Sequence, residues 1–310
     1  MISIVVPVFN EEKSLEPLYK ALISELPKLA KTHEILFVDD WSTDSSLSIL
    51  KEFVKNDKHV RIFSFRKNQG KAEALTLGFQ KAKGDQIFTL DADLQDKPSE
   101  MEKFLEKSKE GIEVVCGWRK ERRDKSKMKI ISRVFNFTLN KLFDINIHDY
   151  NCGFKLYTSE AAKSLHLYGG LHRFVPLLVQ QEGFSVDEVV VDHQPRRYGK
   201  SKYGFSKLWK DLPDMFTMIF LAKYSKRPLH FFGLVGGLSI LLGLFFFGYL
   251  SILWLAGESI GRRPLLLVSF FLMLGGLQIF FTGFLAELLI SIQQKHALHF
   301  PLKYSSDTIQ

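Results

Sequence analysis

The sequence predicts an α/β protein: a mainly parallel sheet with helices on both faces, followed by a C-terminal hairpin of two transmembrane helices. Short β-branched runs alternate with amphipathic stretches through the first part of the chain, which is typical of βαβ units with right-handed crossovers. Residues 1–225 have the composition of a globular domain, whereas residues 229–292 are mostly Leu, Phe, Gly and Ile. The 310 residues, of which 46% are hydrophobic, have room for one large domain plus such an appendage.

The predicted elements of the large domain alternate regularly. Strands are expected over residues 2–8, 34–38, 60–65 and 86–90, where β-branched and aromatic residues are concentrated. Helices are expected from Ser14 to about Ala30, from Ser42-Thr43-Asp44 onward, and over about 71–82. This order places the polar residues that follow each strand at one edge of the sheet, where ligands bind in open α/β folds.

Two carboxylates and an amide follow the predicted strand at 86–90. Asp91, Asp93 and Gln95 alternate with Ala92 and Leu94, so the three polar side chains can converge while the apolar pair turns toward the protein. Hard oxygen ligands suit Mg²⁺ or Mn²⁺. An Asp at a strand end can instead cap a helix or close an Asx turn. We expect a metal site here, because further motifs accompany these residues.

Two apolar segments near the C-terminus are long enough to cross a bilayer. Residues 229–256 contain no Asp, Glu, Lys or Arg, and residues 265–292 contain only Glu287, while about 20 helical residues suffice for a span. The short connection between them makes an antiparallel hairpin, so the large domain and the tail lie on one side. More basic residues lie on that side than in the connection between the spans, which contains Arg262 and Arg263. By the positive-inside rule that side is therefore the cytoplasm. Its basic residues are Lys223, Lys226, Arg227, Lys295 and Lys303.

These features divide the chain into four predicted parts. They are a cytoplasmic domain over 1–204, an amphipathic interfacial segment over 205–228, two spans within 229–292 (about 229–256 and 265–292) and a cytoplasmic tail over 293–310. In the interfacial segment the basic residues Lys207 and Lys210 flank the apolar residues Leu208 and Trp209. This amphipathic pattern is typical of helices that lie in the headgroup layer of a membrane. An ordinary surface helix is the alternative.

Charge and cysteine content restrict the partners and the compartment. The net charge is +8, and residues 119–135 are strongly basic, which ahead of a membrane anchor favours an anionic or phosphorylated lipid as partner. No nucleic-acid motif or interleaved aromatic pattern is present, so nucleic acid is not expected. Cys116 and Cys152 are too few for a disulfide framework and fit a reducing compartment.

Small-residue patches around Gly236 and Gly276 favour a homo-oligomer, a dimer or a tetramer.

Seven ordered motifs resemble those of a known enzyme family. The first four resemble family 2 inverting glycosyltransferases with a GT-A fold: residues 4–12, Val38-Asp39-Asp40-x-Ser42-x-Asp44, Asn68-x-Gly70-Lys71 and residues 91–95. The later three resemble polyprenyl-phosphate glycosyltransferases, akin to dolichyl-phosphate mannose synthases: Gly117-Trp118-Arg119, Asp149-x-x-x-Gly153-Phe154-Lys155-Leu156 and Arg196-x-x-Gly199-x-Ser201-Lys202-Tyr203. Two C-terminal spans are similar to the bactoprenol glucosyltransferase branch.

The resemblance implies metal-dependent transfer of one sugar from a nucleotide-sugar to undecaprenyl or dolichyl phosphate at the cytoplasmic face of the inner membrane. A diphosphate leaving group needs a metal or cationic clamp, and Asp91, Asp93 and Gln95 are the expected metal ligands. A UDP-sugar, UDP-glucose first, is favoured by the two-span arrangement. The alternatives are a mannosyltransferase that uses GDP-mannose and a non-catalytic membrane scaffold. The donor is expected to contact Pro7, Phe9, Glu11, Asp39, Asp40, Lys71, Asp91 and Ala92.

The acceptor phosphate requires fixed cations, because donor and acceptor are both anionic. The expected residues for this role, with one hydroxyl, are Arg119, Arg122, Arg133, Arg196, Ser201 and Lys202. The resemblance makes Asp149, with Asp93, a catalytic residue and the candidate general base. A phosphate monoester with a second pKa near ~6 is already largely ionised at neutral pH, so Asp149 can instead orient the acceptor or the sugar. A capping role is the remaining alternative.

Several further residues are expected to be structural or to depart from the family pattern. His148, His172 and His193 are lone histidines without ligand spacing, and Glu287 lies near one end of the second span. Trp41 stands where relatives carry Gly. Because a bulky residue does not readily adopt positive φ, we expect the loop after Asp40 to follow a different path.

Overall fold

The computed structural model describes residues 1–120, 140, 141, 143, 145–194, 217, 220, 224 and 227–294. The chain divides into two compact units, Met1–Asp214 and Met215–Gln310. The first unit contains the sheet, and the second contains two long apolar helices.

Seven strands form one mixed sheet in the order β3-β2-β1-β4-β6-β5-β7. They are β1 (Ile2–Val8), β2 (His33–Asp39), β3 (Val60–Ser64), β4 (Gln86–Thr89), β5 (Val114–Trp118), β6 (Lys155–Thr158) and β7 (Val186–Val190). Strands β1 to β4 are parallel to one another, and β6 runs antiparallel to both β4 and β5. Strand β7 is parallel to β5.

The central strand is buried on both faces, as its continuous apolar run indicates. Ile4, Val5 and Val6 of β1 are fully buried, since β2 and β4 flank the strand and helices cover both sides of the sheet. The α-helices in the described part of this unit are α1 (Glu12–Leu29), α2 (Ser46–Asn56), α3 (Lys71–Lys81), α4 (Met101–Ser108), α5 (Ser159–Ser164) and α6 (Val175–Gln181). Helix α1 buries one stripe of leucines at helical spacing: Leu15, Leu18, Leu22 and Leu26.

The predicted α/β class with a mainly parallel sheet is confirmed, and most element boundaries agree within two or three residues. The expected helix start at residues 42–44 is wrong, because α2 begins at Ser46. The side chain of Asp44 closes a turn instead, accepting a hydrogen bond from the backbone N–H of Ser46 at 2.9 Å. Short polar side chains compete with the helix in this way.

The second unit is a hairpin of α7 (Pro228–Leu255) and α8 (Pro264–Gln294). Both helices are long and apolar enough to cross a membrane, with a mean hydropathy of 2.2 over the most apolar part of each span. Most large side chains on their outer surfaces are exposed, as expected for helices that face lipid. Together with the composition, this indicates membrane association.

Glycines allow the two long helices to approach each other closely. A Cβ on Gly236 would lie 2.6 Å from the carbonyl oxygen of Gly276, and a Cβ on Gly276 would lie 2.7 Å from that of Gly236. Gly236 and Gly276 of the predicted small-residue patches therefore lie at the contact between the two helices, whereas a Cβ on Gly237 or Gly275 would meet no atom of the described residues within 4 Å. Glu287 also has a structural contact: its carboxylate accepts a hydrogen bond at 3.2 Å from the backbone N–H of Leu229, in the first turn of α7.

Candidate active site

The carboxyl ends of β1 and β4 form the topological switch point of the sheet. The chain proceeds from β1 outward to β2 and β3 and then returns to β4 on the other side of β1, so a crevice opens between the loops that follow these two strands. Asn10, Trp41 and Leu94, which follow β1, β2 and β4, have φ values of 55°, 62° and 61°. Such backbone is unfavourable for side-chain-bearing residues and concentrates at functional sites.

The expectation that Trp41 would avoid positive φ is wrong. Neighbouring hydrogen bonds hold the loop in this conformation: Asp39 Oδ1 accepts from the N–H of Ser42 at 3.1 Å, and Ser42 Oγ accepts from the N–H of Asn10 at 3.0 Å. The side chain of Asn10 in turn accepts from the N–H of Thr43 at 2.7 Å. The β1 and β2 loops therefore brace each other, and Trp41 remains half-exposed beside them.

Asp39 and Asp40 organise backbone rather than projecting freely into the crevice. Asp39 Oδ2 accepts from Ser64 Oγ at 2.6 Å, and Asp39 is fully buried. The carboxylate of Asp40 accepts from the N–H groups of Gln69 at 2.6 Å and Gly70 at 2.9 Å. Burial raises the pKa of Asp40, although these two hydrogen bonds oppose the rise. Asp40 thus fixes the loop that begins α3.

The other residues predicted to contact the donor from the first loop lie around the end of β1. Pro7 and Phe9 are partly exposed there. Glu11 is fixed by two contacts, since its N–H donates to Ser46 Oγ at 2.9 Å and its carboxylate accepts from Ser14 Oγ at 2.9 Å. These residues lie at the same edge of the sheet as the acidic segment after β4.

Asp91 forms an ion pair with Lys71, the first residue of α3. Burial alone would raise the pKa of Asp91, but the charges of Lys71 and Arg119 outweigh it and lower the pKa overall. Gly153 packs directly against this carboxylate, because a Cβ at that position would lie 2.7 Å from its carbon and 2.7 and 2.8 Å from its oxygens. The site therefore holds an ionised carboxylate in a defined place.

The remaining residues of the acidic segment have different surroundings. Asp93 is buried, and its Oδ1 accepts from the N–H of Gln95 at 3.2 Å. The amide of Gln95 donates to the carbonyl oxygen of Gln194 at 3.3 Å. Ala92 is 4% exposed and its side chain belongs to the hydrophobic core.

Arg119 and Asp149 form a bidentate ion pair. Arg119 Nε and Nη2 donate to the two oxygens of Asp149 at 2.7 and 3.0 Å, and the side chains are only 12% and 5% exposed. Glu188 fixes the preceding backbone, because its carboxylate accepts from the N–H groups of His148 and Asp149 at 2.8 and 3.0 Å. Glu188 was missed by the sequence reasoning, since it belongs to no motif and reaches this position through strand pairing alone.

His172 is a second residue that the sequence reasoning assigned to structure alone. The segment that precedes the turn Leu171–Arg173 is tied to α3, since Thr76 Oγ1 accepts from the N–H of Leu167 at 2.9 Å and donates to its carbonyl oxygen at 3.0 Å. Burial, together with the charge of Lys71, lowers the pKa of His172 to about 3. The imidazole is therefore neutral at physiological pH, and it interacts electrostatically with the Lys71–Asp91 pair.

Five of the six predicted acceptor residues lie outside the described part of the chain. They are Arg122, Arg133, Arg196, Ser201 and Lys202. Arg119 is the member of that set whose surroundings the structure describes.

The donor set fits a metal ion that is shared with a nucleotide diphosphate. Asp91 and Asp93 supply two carboxylates, and Gln95 supplies an amide. Among the described residues no group of three His, Cys, Asp or Glu side chains converges as an all-protein metal cage would require. Mg²⁺ at phosphate sites is bound through one or two carboxylates plus substrate phosphates. The residues present match that second type of site.

Comparisons with known proteins agree with this geometry. A family model for glycosyl transferase family 2 matches residues 3–165. The dodecaprenyl-phosphate galacturonate synthase of Rhizobium johnstonii is 33% identical over 296 residues, which cover 93% of this chain and 87% of that protein. The undecaprenyl-phosphate 4-deoxy-4-formamido-L-arabinose transferase of Pseudomonas aeruginosa is 31% identical over 292 residues, covering 93% and 85%.

A solved structure shares the fold of the first unit. It is glucosyl-3-phosphoglycerate synthase from Mycobacterium tuberculosis in complex with Mn²⁺ and UDP-glucose. The match has a TM-score of 0.54 at 18% identity and covers 72% of this chain and 78% of that one.

Proposed function

Because the chain belongs to glycosyltransferase family 2 and matches its polyprenyl-phosphate members, we propose that it transfers a single sugar, with inversion, from a nucleotide-sugar to a polyprenyl phosphate. One observation carries this proposal: relatives named for dodecaprenyl and undecaprenyl phosphate match 93% of the chain. A match of that extent must include residues of both the sheet unit and the hairpin unit. Family membership also favours the enzyme over the membrane scaffold.

The crevice between β1 and β4 is the donor site in this proposal. Pro7, Phe9 and Glu11 border the nucleotide, and Asp39 and Asp40 hold the loops around it. Lys71 lies at the N-terminus of α3, where a cation and the positive end of the helix dipole together favour a diphosphate. Its present partner, the carboxylate of Asp91, places that cation beside the metal ligands.

Asp91, Asp93 and Gln95 would hold Mg²⁺ or Mn²⁺, which when bound supplies charge neutralisation for the leaving diphosphate. Ala92 contributes its backbone between the two carboxylates. Without the metal ion, two anionic substrates would meet in a site with few compensating positive charges. We therefore expect transfer to stop when the metal ion is removed.

Arg119 and Asp149 act together on the acceptor side. The bidentate pair uses Nε and Nη2 of the guanidinium and leaves its remaining N–H groups to bind the acceptor phosphate. Since that phosphate is already largely ionised, we assign Asp149 the role of holding Arg119 in place rather than that of an obligatory base. Arg122, Arg133, Arg196, Ser201 and Lys202 complete the proposed acceptor site.

The hairpin anchors the enzyme in the cytoplasmic membrane with the large domain in the cytoplasm, beside its lipid acceptor. The proposed limits remain residues 1–204 for the catalytic domain, 205–228 for the interfacial segment and 293–310 for the tail. A dimer or tetramer is proposed through the outer faces of the spans, where Gly237 and Gly275 have no neighbours within the hairpin. A monomeric mass in detergent would count against it.

The donor is proposed to be a UDP-sugar, with UDP-glucose as the first candidate and GDP-mannose as the alternative. The two relatives are named for galacturonate and for 4-deoxy-4-formamido-L-arabinose, so the sugar varies among similar proteins. The corresponding UDP-sugars therefore belong in the same panel.

The test incubates the purified full-length protein with undecaprenyl phosphate, Mg²⁺ or Mn²⁺ and each nucleotide-sugar, and scores the glycolipid by mass spectrometry. We expect a product with one donor, no product with EDTA, and none from Asp93→Asn, which keeps the shape of the side chain. Gly261→Ala, in open space within the hairpin loop, is the matched control that should retain activity. Product formation by Asp93→Asn at the wild-type rate would refute the metal assignment.

A further inference from the structure

The amide of Gln95 is held by a pair of residues outside the predicted site. Its Nε2 lies 3.3 Å from the carbonyl oxygen of Gln194 and 3.2 Å from Nε2 of His193. A backbone carbonyl only accepts hydrogen bonds, so the amide group that faces Gln194 must be the NH₂. The same NH₂ then donates to His193, whose Nε2 must carry a lone pair.

Asp96 sets that tautomer of His193 from the other side of the ring. Its Oδ1 lies 3.6 Å from His193 Nδ1, and both atoms are buried without a hydrogen-bond partner among the described residues. The side chains are 5% and 13% exposed, so water does not readily replace the contact. A carboxylate facing Nδ1 favours the proton on that nitrogen and leaves Nε2 as an acceptor.

The backbone keeps these groups in register. Asp96 and His193 form an isolated antiparallel bridge, and the N–H of Gln194 donates to the carbonyl oxygen of Gln95 at 2.9 Å. The imidazole therefore stays beside the amide even though nearly one hundred residues separate them in the sequence. With its NH₂ group fixed, the amide has its oxygen turned away from Gln194.

We propose that Asp96 and His193 are positioning residues, which hold Gln95 so that its Oε1 rather than its NH₂ is presented to the divalent metal ion. This inference rests on the metal assignment in the proposed function. An amide without these partners could also turn its NH₂ toward the metal, and an NH₂ group is not a metal ligand. The Asp96–His193 pair removes that option before the metal and the nucleotide bind.

The test measures Mn²⁺ affinity directly, by the EPR signal of free Mn²⁺ in titrations of the full-length protein in detergent, with and without UDP. We expect His193→Leu to weaken Mn²⁺ binding about tenfold, as loss of outer-shell partners commonly does. His193→Gln can place an oxygen near the position of Nε2 and should restore most of the affinity. His193→Asn reaches only the position of Nδ1 and should behave like His193→Leu.

A double-mutant cycle separates positioning from a general structural role. In the Gln95→Ala background the metal no longer depends on the amide, so His193→Leu should cause no further loss of Mn²⁺ affinity. The same tenfold loss in both backgrounds, or wild-type affinity in His193→Leu, would overturn the inference while leaving the metal assignment intact. Wild-type Mn²⁺ affinity in Gln95→Ala would instead refute Gln95 as a ligand, and the inference with it. Thermal melting of each variant identifies any that fails to fold.

Discussion

Gly153→Ala is expected to displace the carboxylate of Asp91 while leaving the fold intact. The added Cβ would lie 2.7 Å from Cγ and from one oxygen of Asp91, and 2.8 Å from the other. Ordinary contacts between such atoms are about 3.5 Å, so the carboxylate must move by somewhat less than 1 Å. Gly153 does not have a positive φ, and alanine therefore adds no backbone strain.

The size of the effect follows from that displacement. A misplacement of about 1 Å at a catalytic group can cost about 100-fold in rate, which equals about 2.7 kcal/mol of transition-state stabilisation. The cost in folding free energy is smaller, because Asp91 lies at the edge of a crevice and can move into it. Overpacking of an enclosed core costs about 1–3 kcal/mol.

The assay compares kcat/KM for glycolipid formation, Mn²⁺ affinity and thermal melting of Gly153→Ala with those of Gly78→Ala. A Cβ on Gly78 would lie 2.2 Å from Val5, between α3 and the central strand and away from the carboxylates. We expect Gly153→Ala to lose activity and metal affinity with little change in melting temperature, and Gly78→Ala to lose stability first. Wild-type kcat/KM and Mn²⁺ affinity in folded Gly153→Ala would refute the reasoning.

Three further substitutions test other parts of the structure. Arg119→Lys can donate to only one oxygen of Asp149, so kcat/KM should fall about tenfold, or about 1.4 kcal/mol, and a radiolabelled-donor assay with varied polyprenyl phosphate should show the loss. Glu34 is buried and accepts from Ser3 and Arg61, and although burial opposes the shift these contacts lower its pKa. Glu34→Gln should therefore cost about 3 kcal/mol at pH 7 without lowering activity in the folded protein. A lowered pKa stabilises the fold above the unfolded value of ~4.3, and that contribution falls as the pH drops toward the folded pKa. Denaturant unfolding at pH 7 and pH 3 should therefore show a smaller difference at pH 3. Glu287→Leu leaves the N–H of Leu229 without its acceptor and should lower stability in detergent by about 1 kcal/mol, whereas Glu287→Gln should not.

Local pattern was sufficient to predict strands β1 to β4 and the edge of the sheet at which they end, but not strands β5 to β7. The apolar runs of β1 and β4 are buried because the two strands lie side by side at the centre of the sheet, and Asp91 and Asp93 come soon after the end of β4. What local pattern could not predict is which distant group each side chain meets. Glu188 lies opposite Cys116 through the pairing of β5 with β7, and no sequence spacing encodes that contact.

The same limitation applies to histidines and glycines. His193 had no ligand spacing and was expected to be structural, yet backbone pairing with Asp96 brings it to the amide of Gln95. Gly153 was visible as part of a motif, but the reason for glycine became clear only from its contact with Asp91. Trp41 illustrates the opposite error, since a local preference for negative φ is overridden by the hydrogen bonds of Ser42, whose Oγ accepts from the N–H of Asn10 and whose N–H donates to Asp39.

The acidic residues of this edge look alike in the sequence but have different physical situations. The carboxylates of Asp39 and Asp40 accept hydrogen bonds from hydroxyl and backbone N–H groups. Substitution of either residue should therefore disturb the geometry of the loops first. Asp91 faces a lysine, and that cation can turn to a diphosphate once a metal ion supplies the opposing charge. In the proposed site the Lys71–Asp91 pair is therefore a resting arrangement, in which Lys71 neutralises Asp91 until a metal ion takes over that role and Asp91 neutralises Lys71 until a diphosphate does.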